Sequence, residues 1–142
     1  MKLKVVLEHN NMDYMIIPDV EVDVDLGEDY IHVFFRGPKD SEEVSIRCYE
    51  ELSKFIKGRG IKKILIEEDF PNQVSASEMY NVINTIPKLF PKNIRIAHVD
   101  RRHSDMDLNF FGEDIAIQLG IDGQAFHSVK EAKEWLEIPG KS

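Results

Sequence analysis

The sequence has little cysteine and no long apolar run, and both scarcities limit what the protein can be. Its one cysteine, Cys48, has no partner in the chain, so an intramolecular disulfide and a Cys-rich zinc site are both excluded. Cys48 lies at helical spacing from Val44 and Leu52, so we expect a small buried apolar residue. No stretch approaches the ~20 apolar residues of a membrane span, and the N-terminus lacks the apolar core of a signal peptide. We therefore expect a soluble, cytoplasmic protein without a membrane span.

Basic residues are scarce relative to acidic ones. The 142 residues include 18 Lys and Arg against 26 Asp and Glu, which gives a formal net charge of −8. Nucleic acids and anionic lipid surfaces both attract a basic face, so this charge argues against either as a partner. Hydrophobic residues make up 42% of the chain, which excludes a wholly disordered protein. The length predicts one domain spanning residues 1–142.

The familiar catalytic signatures are also missing. The sequence has no Gly-x-Ser-x-Gly elbow, no phosphate-binding loop, no dinucleotide fingerprint and no His-Glu-x-x-His zinc motif. We therefore assign no catalytic residue, no metal and no cofactor from the sequence, and we treat an enzyme as the alternative to a binding module.

The first third of the chain has the patterns of β-strands. Two short apolar runs, Lys2–Glu8 and Asp13–Ile17, flank a turn-forming segment and predict an N-terminal hairpin. Residues 20–25 alternate valine with carboxylates, which predicts a half-exposed antiparallel strand. Tyr30–Arg36 carries almost no polar residue on either face, so we expect an interior strand covered on both sides.

From Gly37 onward, helical and strand patterns alternate. The predicted strands are Ile64–Ile66, Ile94–Val99 and Gln124–His127. The predicted helix starts are Asp40 with Glu43, Ser75 with Glu78, Ser104, and Ser128 with Glu131. Strands separated by helices favour a parallel sheet with helices packed on it. The sequence therefore predicts an α/β fold: a mixed, mostly parallel sheet of five or six strands, an N-terminal antiparallel hairpin and about four helices.

Three segments carry a resemblance to a known fold family. They are VFFRGPKDSEEV, a strand ending in Gly before a helix start; IRIAHVDRRHSDMDLNFFGEDIA, a strand and charged turn before a helix with paired aromatics; and GQAFHSVKEAKEWLE, a short strand before a helix ending in Ala-x-x-Trp-Leu. Together they resemble the STAS-like (anti-sigma-factor-antagonist-like) superfamily over roughly Val20 to Ile138. The resemblance looks closest to a group of small uncharacterised bacterial proteins, and it implies a partner-binding domain.

The resemblance also implies a phosphorylation site. Some STAS-like proteins are switched by phosphorylation of a serine at the start of the helix after a central strand, within the pattern Asp-Ser-Ser-Gly. At that place this chain has Val74-Ser75-Ala76-Ser77-Glu78, so Ser75 is the nearest match, although the Asp and the Gly are absent. The residues alone give Ser75 a second interpretation, as the N-cap of its helix.

Charged residues follow the predicted parallel strands, where ligands favour binding in such sheets. They are Arg36, Lys39, Asp40, Glu67, Glu68, Asp69, Asp100, Arg101, Arg102, His103 and His127. Guanidinium groups beside a helix start suit an anion, so we select Asp100, Arg101, Arg102 and His103 as candidate ligand-binding residues. A metal-assisted hydrolase is the weaker hypothesis, using Glu67, Glu68, Asp69, Asp100, His103, Asp105 and Asp107. Ion pairing of Asp100, Arg101 and Arg102 across the loop is the plain structural interpretation.

The histidines divide between core and site. His98 alternates with Ile94 and Ile96, so we expect a neutral core histidine, and His32 invites the same interpretation beside Tyr30 and Phe34. His103 lies in the charged turn and is the only histidine that we select for chemistry. Of the adjacent pair Phe110 and Phe111, one is expected to face outward; an exposed Phe110 would suggest a dimer or partner surface.

These observations lead to a first hypothesis and an alternative. The first is a non-catalytic protein-binding or regulatory module resembling STAS domains, with a protein partner or a second copy in a homodimer. The alternative is a small enzyme or anionic-ligand sensor that uses the charged strand ends. A cavity of roughly 300 Å³ or more, ringed by His103, Asp100 and Glu67, would favour the alternative.

Overall fold

A computed structural model describes the backbone of residues 6–8, 11–13, 15–102 and 106–139, and the side chains of residues 15–102 and 111–139. Seven strands and four helices follow one another along these ranges. They are β1 (Val6–Glu8), β2 (Asn11–Asp13), β3 (Glu21–Leu26), β4 (Tyr30–Arg36), α1 (Glu42–Ile56), β5 (Lys63–Asp69), α2 (Ala76–Leu89), β6 (Arg95–Asp100), α3 (Met106–Gln118), β7 (Asp122–Phe126) and α4 (Val129–Leu136).

The main sheet has five strands in the order β3-β4-β5-β6-β7. β3 pairs antiparallel with β4, while the pairs β4–β5, β5–β6 and β6–β7 are parallel. β1 and β2 form a separate two-stranded antiparallel sheet. The predicted mixed, mostly parallel sheet with four helices is confirmed, but the predicted strand Asp13–Ile17 is wrong. β2 ends at Asp13, and Met15 and Ile17 are buried outside any strand.

The two faces of the main sheet carry different helices. Ile64 and Ile66 of β5 pack with α1 and α2 in the larger core, and this side is called the α1–α3 face below. Leu65, between them, packs with Ala132 and Leu136 of α4 in the smaller core, on the side called the α4 face. Alternation along each strand therefore decides which helices a side chain meets.

The expectation that β4 is covered on both sides is wrong. Ile31, Val33 and Phe35 are buried on the α1–α3 face, whereas the alternate residues from Tyr30 to Arg36 are only half-buried. The reason is that α4 contacts mainly β5, β6 and β7, and of the half-buried residues of β4 only Tyr30 packs against its core. Ion pairs occupy the uncovered part, as between Arg36 Nη2 and Asp23 Oδ2, 2.9 Å apart.

Side-chain caps begin three of the helices. Ser75 forms the predicted capping box with Glu78, and Ser128 Oγ accepts from Glu131 N at 3.2 Å, so both predicted starts are confirmed. The predicted cap at Asp40 is wrong by one residue, because Ser41 Oγ accepts from Val44 N at 3.1 Å and is the N-cap of α1. The predicted start at Ser104 lies outside the described residues.

Two further expectations concern single residues of α1 and α3. Cys48 is free and buried, as predicted. One of Phe110 and Phe111 was expected to face outward, and Phe111 is 39% exposed, whereas Ile115, one turn later on α3, is buried. The side chain of Phe110 lies outside the described residues, so its exposure stays a prediction.

Candidate functional site

A cavity lies on the α1–α3 face at the carboxyl ends of β5 and β6. Its volume is about 140 Å³, and α1, α2, α3, β5, β6 and β7 all contribute to its lining. Most of the wall is apolar. The apolar lining residues include Val82, Ile83, Ile86, Ile96, Ala116 and Ile121. Ligands in open α/β sheets favour this end of the strands, so this is the candidate functional site.

Strand periodicity places the polar side chains of the cavity. Glu68 lies two residues after Ile66 on β5, and His98 lies two residues after Ile96 on β6, so all four face the same side of the sheet. Asp100 pairs with Glu68 across the two strands and also lines the cavity. Each strand is therefore apolar under the helices and polar where it ends.

His98 and Glu68 form the central polar pair of the site. His98 Nε2 is hydrogen-bonded to Glu68 Oε1. Burial alone would lower the pKa of His98, but the Glu68 carboxylate, helped by Asp100 and Asp40, outweighs it and raises that pKa above 6.5. The Glu68 carboxylate therefore stabilises the protonated form of His98, and His98 lies at the cavity rather than in the closed core that we predicted.

Asp40 is the third acidic group of the cavity, and it is buried. Its Oδ1 accepts from Ser41 N and from Ser45 Oγ, both at 2.8 Å. Asn72 fixes the backbone of Asp40 through two hydrogen bonds, one to Asp40 N at 2.8 Å and one to Asp40 O at 2.9 Å. Burial and the nearby Glu68 carboxylate raise the pKa of Asp40 from 3.8 to about 6.

The structure separates the residues that the sequence grouped as a ligand site. Asp100 lines the cavity, but Arg101 and Arg102 do not. Arg101 Nε lies 3.4 Å from Glu67 Oε2, and Arg102 Nε lies 2.5 Å from Asp69 Oδ1. Both guanidinium groups therefore pair with carboxylates of β5, as the ion-pair interpretation of that loop expected of them. His103 lies outside the described residues.

The cavity also differs from the one that we specified for the enzyme or sensor alternative. Its volume is smaller than 300 Å³. Of the three residues that we expected around it, Asp100 lines the cavity, Glu67 does not, and His103 lies outside the described residues. Glu67 faces the α4 side, where His32 Nε2 lies 2.8 Å from its Oε1. In the part of the chain that the structure describes, no three His, Cys, Asp or Glu side chains are grouped to hold a metal ion.

Sequence reasoning did not select Asp40, Glu68 or His98 as ligand-binding residues. Asp40 and Glu68 were among the charged residues at the strand ends, and Glu68 belonged to the metal hypothesis, whereas His98 was interpreted as a core histidine. The sequence feature that could have identified Glu68 and His98 is the alternation of side chains along each strand. Glu68 is two residues after Ile66 and His98 is two residues after Ile96, so each faces the same side as the buried isoleucine before it. A polar residue at the last inward position of a buried strand points into the space beneath the crossover helices.

Ser75 has a complete structural role as the N-cap of α2. Its Oγ accepts from Glu78 N at 3.2 Å, and its own N donates to Glu78 Oε1 at 2.9 Å. The hydrogen bond from Ser75 N lowers the pKa of Glu78, so a phosphate on Ser75 would meet a carboxylate held ionised. Phosphorylation of Ser75, implied by the resemblance, stays a prediction.

We expect Ser75→Ala to lower the free energy of unfolding by ~1 kcal/mol, because it removes the side-chain acceptor of the capping box. Urea denaturation measures the change. Ser77→Ala is the matched control, since the side-chain contact of Ser77 is with Ser75 Oγ and it caps no backbone group. Equal stability of Ser75→Ala and Ser77→Ala would contradict the capping role.

Comparison with known proteins adds no relative. Neither a model of a known protein family nor a curated protein matches the chain. The STAS-like resemblance therefore rests on the three segments quoted above. Among the described residues, no helix combines the length and the apolar character needed to cross a membrane.

Proposed function

We propose that this chain is a non-catalytic, STAS-like binding module that holds one small molecule in the cavity on the α1–α3 face. The observation that supports the proposal is the convergence of Asp40, Glu68 and His98 in a mainly apolar cavity. Small-molecule sites typically combine apolar walls with a few placed polar groups. A cavity of 140 Å³ is close to the roughly 150 Å³ of a protein cavity known to bind benzene, so the ligand has about one ring.

The groups around the cavity favour binding over covalent catalysis. Burial raises the pKa of the Cys48 thiol well above its ordinary value, and it raises the pKa of Tyr49 in the same direction. Both groups are thus held protonated, whereas a nucleophile needs a lowered pKa or an adjacent base. Ser45 Oγ is buried and already donates to Asp40.

Methyl NMR tests the cavity directly. A set of neutral, cationic and anionic one-ring compounds is titrated into chain labelled at the isoleucine δ-methyl groups. We expect a bound compound to shift the signals of Ile83, Ile86 and Ile96, which line the cavity. If no compound shifts these signals at millimolar concentration, or if the shifts fall on the outer surface, the proposal is wrong.

A pair of variants on one helix locates the binding. Ala116 is buried and lines the cavity, so Ala116→Leu adds volume where the ligand would lie. Ile117, the next residue, is 70% exposed, and Ile117→Leu is the matched control. We expect Ala116→Leu to abolish the methyl shifts while retaining the circular dichroism spectrum, and Ile117→Leu to leave both unchanged.

A second candidate function is self-association, which the STAS-like resemblance implies as one form of partner binding. The observation that favours it is the set of large exposed apolar side chains on the two helices that wall the cavity: Tyr80 of α2, with Phe111 and Ile117 of α3. Sedimentation velocity at rising protein concentration measures it. We expect a dimer that Ile117→Glu dissociates, and a monomer at every concentration would exclude self-association.

A further inference from the structure

The charges that line the cavity are mainly negative. The lining contains four carboxyl groups, those of Asp40, Glu68, Asp100 and Glu113, and one imidazole, that of His98. No lysine or arginine is among the lining residues that the structure describes. The cavity therefore presents more negative than positive groups to anything that enters it.

Several of the hydrogen bonds to these carboxyl groups come from neutral donors. Glu113 Oε2 accepts from Ala125 N at 2.8 Å, and Asp100 Oδ1 accepts from Arg102 N at 3.1 Å. Asp40 accepts from a backbone amide and a hydroxyl, as described above. Within the described lining, His98 is the side chain that can supply a positive charge, and it contacts Glu68.

The nearest arginines in the sequence pair with carboxylates that do not line the cavity. Arg101 and Arg102 follow Asp100 directly, but they pair with Glu67 and Asp69 of β5, and neither lines the cavity. Buried charge needs a partner, and burial beside Glu68 already raises the pKa of Asp40. A cationic ligand would place a positive charge beside the carboxyl groups of Asp40 and Glu68, whereas an anion would add to the repulsion.

We propose that the ligand is a small organic cation, an ammonium group carried on a body of about one ring, with the ammonium between Asp40 and Glu68 and the body against Val82, Ile86 and Ile96. This inference rests on the proposed function, because it names the ligand class of the same cavity. An ammonium group donates three hydrogen bonds, which suits converging carboxylates. The apolar wall favours an organic body over a Mg²⁺ or Ca²⁺ ion, each of which takes six or more oxygen ligands.

Three compounds of one shape and different charge test the inference: benzylamine, benzyl alcohol and benzoate, each titrated at pH 7 by methyl NMR. Each charged hydrogen bond is worth roughly tenfold in affinity, so we expect benzylamine to bind at least about tenfold more tightly than benzyl alcohol. We expect benzoate to bind most weakly.

Charge-removing variants identify the groups that hold the ammonium. Glu68→Gln should weaken benzylamine by about tenfold and leave benzyl alcohol within about twofold. Asp40→Asn should act in the same direction and serves as a second variant if Glu68→Gln folds poorly. Glu134→Gln is the matched control, because Glu134 is an exposed residue of α4 on the other side of the sheet, and both affinities should stay unchanged.

Each result bears on a different part of the account. Benzyl alcohol or benzoate binding as tightly as benzylamine overturns the cationic ligand and leaves the cavity as a binding site. Failure of all three compounds to shift the cavity methyl signals overturns the cationic ligand and the proposed function together. Binding of benzylamine that survives Ala116→Leu places the compound elsewhere and overturns the inference as well.

Discussion

Replacing Asp40 by asparagine should raise the free energy of unfolding at pH 7 by about 2 to 3 kcal/mol, because each unit of pKa difference between the folded and unfolded states is worth about 1.4 kcal/mol. Burial and the Glu68 carboxylate raise the pKa of Asp40 to about 6 in the folded chain, against 3.8 ordinarily. The folded state therefore holds more protons than the unfolded state between these values, and ionising Asp40 costs stability as the pH rises from about 4 to about 6. Asparagine removes this cost, and its Oδ1 can still accept from Ser41 N and Ser45 Oγ.

Urea denaturation at a series of pH values measures the effect. The gain from Asp40→Asn should be largest above pH 6 and should disappear below about pH 4, where aspartate in both states is protonated. Asp114→Asn is the matched control, because Asp114 is exposed on α3 and should change stability by no more than about 0.5 kcal/mol. A loss of stability in Asp40→Asn, or a gain independent of pH, would contradict the description of Asp40.

A stabilising substitution at a cavity residue has a functional meaning. Groups that cost stability concentrate at functional sites, where the chemistry of the site needs them. Asp40 is buried, held by Ser45 and Asn72, and lines the cavity. The cost of Asp40 is therefore consistent with its proposed role toward a cationic ligand.

Trp135→Ala should lower the free energy of unfolding by about 3 kcal/mol, at the lower end for aromatic truncation because Trp135 is only partly buried. Its ring packs on Phe126 of β7 with centroids 5.4 Å apart, and the Arg95 guanidinium lies 3.8 Å above it. The substitution removes the contacts of Trp135 with β6 and β7. Leu136 and Ala132 of the same helix remain packed in the core on the α4 face.

Chemical denaturation also measures this change. Tyr80→Ala is the comparison, because Tyr80 is another large aromatic residue on a helix but is 51% exposed. Its effect should stay within about 0.5 kcal/mol. If Trp135→Ala costs less than about 1 kcal/mol, α4 contributes little to the fold and the α4 face has been described wrongly.

Local rules predicted the elements of this fold well. The bounds predicted for β4 agree with the structure, and the helix starts at Ser75 and Ser128 follow from serine three residues before glutamate. Where two adjacent residues can cap, the pattern is ambiguous, and Ser41 rather than Asp40 is the cap of α1. Because Ser41 caps the helix, the Asp40 side chain lines the cavity instead. The sequence pattern does not indicate which of the two residues takes which position.

The candidate site could be predicted only in part. Alternation separates Glu67 from Glu68, so the sequence could have placed them on opposite faces. Which face carries α1, α2 and α3 depends on long-range packing. The cavity itself depends on the close approach of α2 and α3 at Gly112, where an added Cβ would lie 3.1 Å from Met79 Sδ. Such distances between elements far apart in the sequence leave no local pattern.

A crystal structure of the chain soaked with benzylamine tests the central claim most directly. The account predicts electron density for the ring between Val82, Ile86 and Ile96, with the nitrogen within about 3.2 Å of a carboxylate oxygen of Asp40 or Glu68. A cavity that holds only water while the compound lies on the outer surface, or nowhere in the crystal, would contradict it.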